Sequence, residues 1–219
     1  AVAGAGEEST VAAHYGNPLA EQRLLADGRA VVELPRGIVT VTGPDRLSWL
    51  DSLTSQRLAD LAPGGSRESL LLDPHGHVEH DLRISDDGET AWILTEAGAA
   101  AGLARFLDRM RFMLRVEVAD RTGEAAVVGA FDEALLDGLS AVTVWRDPWT
   151  TVAPGGVAYS HALQHPGEEW TVVEAIVPWA SLDILADRVR AGEMRVAGLL
   201  AFEALRVAAW RPRFGADTD

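Results

Sequence analysis

Apolar and polar positions along the chain fall into short runs that predict an alternation of strands and helices. Gly37 to Thr42 is a β-branched run closed by Gly43-Pro44, the pattern of a strand entering a turn. Pro44 suits a first helical turn, Asp45 is favourable near the positive end of a helix, and Leu47, Leu50 and Leu53 follow at threefold spacing. Beyond the Pro63-Gly64-Gly65 turn, Glu68 to Leu72 and Val78 to Ile84 are two apolar stretches split by Asp73-Pro74-His75-Gly76, which predicts a hairpin. Ala91 to Thr95 reads as a further strand. From Gly98 to Met113, Leu103, Phe106, Leu107, Met110 and Leu114 recur every three or four residues between charges, so an amphipathic helix is expected there, followed by a strand over Leu114 to Ala119.

A similar order recurs downstream. Ala125 to Phe131, Ala141 to Trp145, Val157 to Leu163 and Trp170 to Val177 are strand-like, Asp132 to Leu139 predicts a short helix, and Pro178 to Arg190 predicts another with Trp179, Leu182, Leu185 and Val189 on one face. The expectation is therefore an α+β protein: a flexible N-terminal segment and lead-in over 1–30, one α+β unit over 31–122 and a second over 123–219, with mainly antiparallel sheets because the strands are close enough for hairpins. Gly64-Gly65 and Gly155-Gly156 lack the spacing of a phosphate-binding glycine loop.

Composition narrows the chemistry. The 219 residues carry 19 basic and 33 acidic side chains, a net charge of −14, and every basic residue is arginine. Non-specific nucleic-acid binding is not expected of so acidic a chain. Without cysteine there is no thiolate nucleophile, disulfide or cysteine-ligated metal within these residues. No run approaches the roughly 18 apolar residues of a membrane span, and AVAGAGEEST has no secretory-signal pattern, so a cytoplasmic protein with no membrane partner is expected.

Three groups could carry chemistry. His75-Gly76-His77-Val78-Glu79-His80-Asp81 holds three of the six histidines, and on an extended strand His77, Glu79 and Asp81 share one face while Val78, His80 and Leu82 share the other. That split spreads the donors along the strand, and the expectation is a polar hairpin without metal, ligand contact and metal binding being the alternatives. Trp145-Arg146-Asp147-Pro148-Trp149 offers two indoles, for core packing and loop anchoring or as a clamp on a flat ligand. Arg206, Arg211 and Arg213 form a basic cluster suited to an anion or to the negative end of a helix. His14, His161 and His165 have no partner at a telling spacing, and no nucleophile elbow occurs.

The stretch VTVTGPDRLSWLDSLTSQRLADLAPGGSRESLLLDPHGHVEHDLRI, with FEALRVAAWRPRFGADTD, resembles the folate-binding domain shared by the glycine-cleavage aminomethyltransferases and the YgfZ-type folate-binding proteins. A strand ending in Gly, x, x, x, Asp, Leu is approximated by Gly76, Asp81 and Leu82, with four residues rather than three between the glycine and the aspartate. L-R-x-x-x-G-x-P-x-x-G-x-D is matched by Leu205, Arg206, Pro212, Gly215 and Asp217. The resemblance implies an aminomethyltransferase-like fold and tetrahydrofolate or a derivative as cofactor. Asp81 would face the N5–N10 side of the folate, and Arg206 would be an anion or packing contact.

One departure bears on function. Where aminomethyltransferases read LRLEAG, with a pterin-directed Glu, this chain has Ala208, and Trp210 replaces the glycine. The change favours a YgfZ-like protein assisting iron–sulfur cluster synthesis or repair, with iron–sulfur proteins as partners, over a tetrahydrofolate-dependent aminomethyltransferase; a non-catalytic α+β interaction module is the third reading. The YgfZ signature K-G-C-Y-x-G-Q-E is expected beyond Asp219, in a longer protein that also carries the family's small C-terminal barrel-like domain.

Overall fold

The computed structural model describes residues 1–3, 10–149, 156–157, 160, 162 and 164–218. In chain order the elements are β1 (Val2–Ala3), β2 (Ala12–His14), α1 (Pro18–Ala26), β3 (Ala30–Leu34), β4 (Arg36–Thr42), α2 (Arg46–Leu53), β5 (Ser66–Leu72), β6 (Val78–Asp86), β7 (Thr90–Glu96), α3 (Ala100–Met110) and β8 (Glu117–Asp120). There follow β9 (Ala125–Ala130), a 3-10 turn at Glu133–Leu136, β10 (Thr143–Arg146), a 3-10 turn at Pro166–Glu169, β11 (Val173–Pro178), α4 (Ala180–Arg190), β12 (Arg195–Ala197) and α5 (Leu199–Ala208). The strand expected over Val157 to Leu163 lies largely outside the described residues. No helix among the described residues is long and apolar enough to cross a membrane.

Two compact units interleave along the chain. Unit I comprises 1–35, 123–144 and 166–211; Unit II comprises 36–122, 145–165 and 212–219. Residues 1–30, expected as a flexible lead-in, include α1, and β3 pairs with β9 and β12 rather than with the strands that follow it. The reason is local. Asn17 caps α1 by accepting from the Ala20 amide at 3.2 Å, Pro18 occupies the first turn, and Glu21 accepts the amides of Tyr15 and Asn17 at 2.9 and 3.1 Å. The other Glu21 oxygen accepts the Gly198 amide, so the segment is tied to the entry of α5.

Unit I is built on a five-stranded sheet in the order β10-β11-β9-β3-β12, antiparallel at β11·β9 and β3·β9 and parallel at β12·β3. Val31, Val128, Ala130, Ala175 and Val177 share a core with Leu136 and with Leu185 of α4. Trp170 packs between Phe131, edge-on at 4.9 Å, and Phe202 of α5 at 5.5 Å.

Unit II has a fully antiparallel sheet in the order β5-β6-β7-β4-β8. Alternation gives it two unlike faces. Val39, Val41, Leu82, Ile84 and Ile93 pack beneath Trp49 and Leu50 of α2 and Leu103 and Leu107 of α3. Each such leucine contributes about 1.5–3 kcal/mol by leaving water. The start of α3 approaches β4 closely because Gly37 has no side chain, since a Cβ there would meet the Ala100 Cβ at 2.8 Å. A buried ion pair joins α2 to the end of β6, with the Arg46 guanidinium donating to both Asp86 oxygens at 2.7 Å. The opposite face carries Glu68, Asp81, Arg83, Glu96 and Arg36.

Candidate functional site

Strand register assembles that charged face. Leu70 lies opposite Asp81, Glu68 opposite Arg83, Arg83 opposite Leu94, and Arg36 opposite Glu96. Because residues two apart share a face, Asp81 and Arg83 project together on the side away from the apolar core. Glu96 is the node: its Oε1 accepts from Arg36 at 2.8 Å and stands 3.6 Å from Arg83, and its Oε2 accepts from the Arg213 guanidinium at 2.8 Å. Burial alone would raise the Glu96 carboxyl, but Arg36, Arg83 and Arg213 outweigh it and hold it down at about 2.

Asp81 is in the opposite condition. It is buried, 6% exposed, and its Oδ2 stands 3.2 Å from the Arg83 guanidinium. Its Oδ1 is buried with no hydrogen-bond partner among the described residues. Burial pushes the carboxyl up to about 6, against the pull of Arg83 and with help from the negative charges of Glu68 and Glu96. Two carboxylates on neighbouring strands are thus driven apart, one firmly ionised and one poised near neutrality. Trp145 closes over Arg83, whose guanidinium carbon lies 5.7 Å from the ring centroid, and its indole N–H donates to the Arg67 carbonyl at 2.9 Å.

The other sequence candidates are distributed as follows. Asp73 organises the turn before β6, accepting the amides of His75 and His77 at 2.7 and 2.9 Å and contacting His77 Nδ1 at 3.0 Å. The His77 amide and ring, with smaller help from His75, hold the Asp73 carboxyl below its usual range. The HGHVEHD cluster therefore divides, with Asp81 inside the sheet, His80 half-buried, and His75, His77 and Glu79 in solvent. Burial lowers His80, against the pull of Glu79. Among the described residues no three His, Asp or Glu side chains converge as metal donors. Trp145 is fully buried, while Trp149 donates its indole N–H to His165 Nδ1 at 3.1 Å, so the two indoles serve different neighbours.

The three C-terminal arginines separate too. Arg206, in Unit I, is buried; it pairs with Glu203 at 2.8 Å and donates to the Arg211 carbonyl at 2.5 Å, closing the end of α5. Arg213, in Unit II, pairs with Glu96 and donates its amide to Asp217 at 3.0 Å. Asp81 and Arg206 thus stand in different units. Ala208 ends α5 with an exposed side chain. Sequence reading did not find Arg36, Arg83, Glu68 or Glu96. Arg83 and Glu68 were signalled only by strand alternation, and the pairing of Arg36 with Glu96 spans 60 positions that only the β4–β7 register connects.

Comparison with known proteins agrees with this architecture. The chain is 31% identical over 118 residues to an aminomethyltransferase of Cutibacterium acnes, a match covering 52% of this chain and 31% of that protein. It superposes with a TM-score of 0.68, at 19% identity, on the glycine cleavage system aminomethyltransferase T from Bartonella henselae, covering 94% of this chain and 58% of that one. The aligned region thus spans about a third of the curated relative and rather more than half of the solved one. No family model matches the chain. The protein has the α+β fold of aminomethyltransferase T, and part of its sequence is similar to an aminomethyltransferase.

Proposed function

We propose that this chain binds a reduced folate through the Asp81 face of Unit II. The observation that carries the reading is the buried Asp81 carboxyl with one unpaired oxygen. An orphaned acceptor costs about 1–3 kcal/mol, and a donor on a pterin or on its N5–N10 side would recover that cost. With its carboxyl near 6, Asp81 can accept such a hydrogen bond in its ionised form or donate in its protonated one. Arg83, flanked by Trp145, supplies a fixed positive charge beside it. Tetrahydrofolate, when bound, would supply a carrier for one-carbon units; Asp81 would orient it. Arg206 is assigned to the support of α5, since Glu203 and the Arg211 carbonyl already engage it.

Within that reading, a YgfZ-like role in iron–sulfur cluster synthesis or repair is favoured over aminomethyl transfer. Ala208 stands where the transferases present a pterin-directed carboxylate, and the nearest acid on the same helix, Glu203, is committed to Arg206. The transferase reading rests on the relative from Cutibacterium acnes. Tetrahydrofolate-dependent glycine cleavage in a reconstituted system decides between them, and turnover by this protein would favour the transferase.

The folate reading is tested by calorimetry and tryptophan quenching with tetrahydrofolate. With one pterin-directed carboxylate missing, the expected dissociation constant is about 100 μM or weaker, near −5.5 kcal/mol. Asp81→Ala should weaken it about tenfold, the loss of one hydrogen bond to a charged group. Absence of binding, or low-micromolar binding that ignores Asp81→Ala, overturns the reading.

A further inference from the structure

Unit I contains a cavity of about 350 Å³ that the folate reading does not use. Its floor is the sheet, where Val31 and Glu33 share one face of β3, Val128 lies opposite Glu33 and Val196 opposite Val31. Its wall is α4, which presents Leu182, Leu185, Ala186 and Val189 at spacings of three and four. The space stays open because several positions that could fill it hold valine or alanine. Tyr15 stands at the rim, its backbone fixed by the hydrogen bond that its amide donates to the Glu21 carboxylate.

Within this apolar lining Glu33 is the anomaly. It is half-buried in the middle of a core strand and has no hydrogen-bond or ion-pair partner among the described residues. Burial raises its carboxyl, and its charge in turn helps burial to raise the Tyr15 hydroxyl, with Glu21 adding to the same effect. The lining cation, Arg190, is turned to Asp187 on its own helix. A partly desolvated carboxylate with no counter-charge is costly to maintain in a folded interior. Apolar walls, one uncompensated anion and a hydroxyl make a site for a particular chemistry.

We infer that the Unit I cavity binds a small amphipathic amine, its apolar body against α4 and the valines and its ammonium paired with Glu33 beside the Tyr15 hydroxyl. An ammonium restores the missing counter-charge. A carboxylate or phosphate would be repelled by Glu33, and a neutral ligand would leave that charge unpaired.

The test uses phenethylamine as probe, with 2-phenylethanol as the neutral control and 3-phenylpropionate as the anionic one, titrated into the whole chain and followed by amide shifts of Val31, Val128 and Leu185. Phenethylamine is expected to bind at millimolar concentration or better and the controls at least about tenfold more weakly. Glu33→Gln should reduce phenethylamine affinity by about tenfold, the worth of a partly desolvated ion pair, and Ala186→Leu should abolish binding by filling the space. If Glu33→Gln fails to fold, Tyr15→Phe and Ala186→Leu, each measured alone, carry the test together with the two control ligands. No shifts with phenethylamine, equal binding of 2-phenylethanol, or binding that survives Ala186→Leu overturns the proposal.

Discussion

Asp81 and Glu96 share one network yet titrate in opposite directions, and this sets the pH response of Unit II. A carboxyl held at about 6 when folded but near 3.8 when unfolded keeps its proton longer in the native state, so stability falls as pH rises from about 4 to about 6 and stays reduced above. Glu96 works the other way: held at about 2 against 4.5 unfolded, it stabilises above pH 4.5 and that contribution is lost as pH falls toward 2. Asp81→Asn should match the wild type near pH 4 and exceed it at pH 7, by about 2 kcal/mol after allowance for screening. Urea midpoints at the two pH values measure this, and an equal difference at both would show that folding does not raise the Asp81 carboxyl. Glu96→Gln should cost about 3–5 kcal/mol at pH 7, because Arg36, Arg83 and Arg213 would lose the charge they converge on.

At the scale of elements, α3 is held to β4 by shape as much as by apolar area. Leu107→Ala should cost about 2–5 kcal/mol through the cavity it leaves between α3 and the sheet. Gly37→Ala should cost about 1–3 kcal/mol for the opposite reason, because its new methyl would overlap Ala100 and crowd Thr95. Thermal melts of both variants check the pair, and a neutral Gly37→Ala would mean that α3 can shift without loss. Strong periodicity made these elements legible in the sequence: the β-branched run of β4, the leucine spacing of α3 and the hairpin of β5 and β6 all stand close to where the residues suggest. Three residues of β12 are too few to show a period, and α1 has too little apolar stripe to stand out from a lead-in despite its Asn17-Pro18 start. Of the charged face of Unit II, the sequence singles out only Asp81 and, among the clustered arginines, Arg213. Its other members depend on register between strands, which alternation does not specify.

For the whole molecule, the interleaving of the units governs which pieces can fold. β9 needs β3 as its neighbour, and β12 pairs only with β3, so a piece starting at Gly123 would leave one side of β9 bare and β12 without a ladder. Unpaired strand edges with buried apolar faces favour aggregation over folding. Residues 36–122, by contrast, contain all five strands of the Unit II sheet, both helices above it and every residue of its principal apolar core. That piece should fold cooperatively, with a lowered melting temperature because Arg213 and Trp145 no longer complete the charged face around Glu96 and Arg83. Residues 123–219 alone should show no cooperative transition, and a peptide of residues 1–35 added in trans should restore one by returning β3, the missing strand between β9 and β12. Circular dichroism melts of the three preparations are the measurement. A cooperative transition in 123–219 without the peptide would show that β9, β11 and α4 suffice as a core and that β3 is dispensable, contrary to its place between β9 and β12 in the ladder.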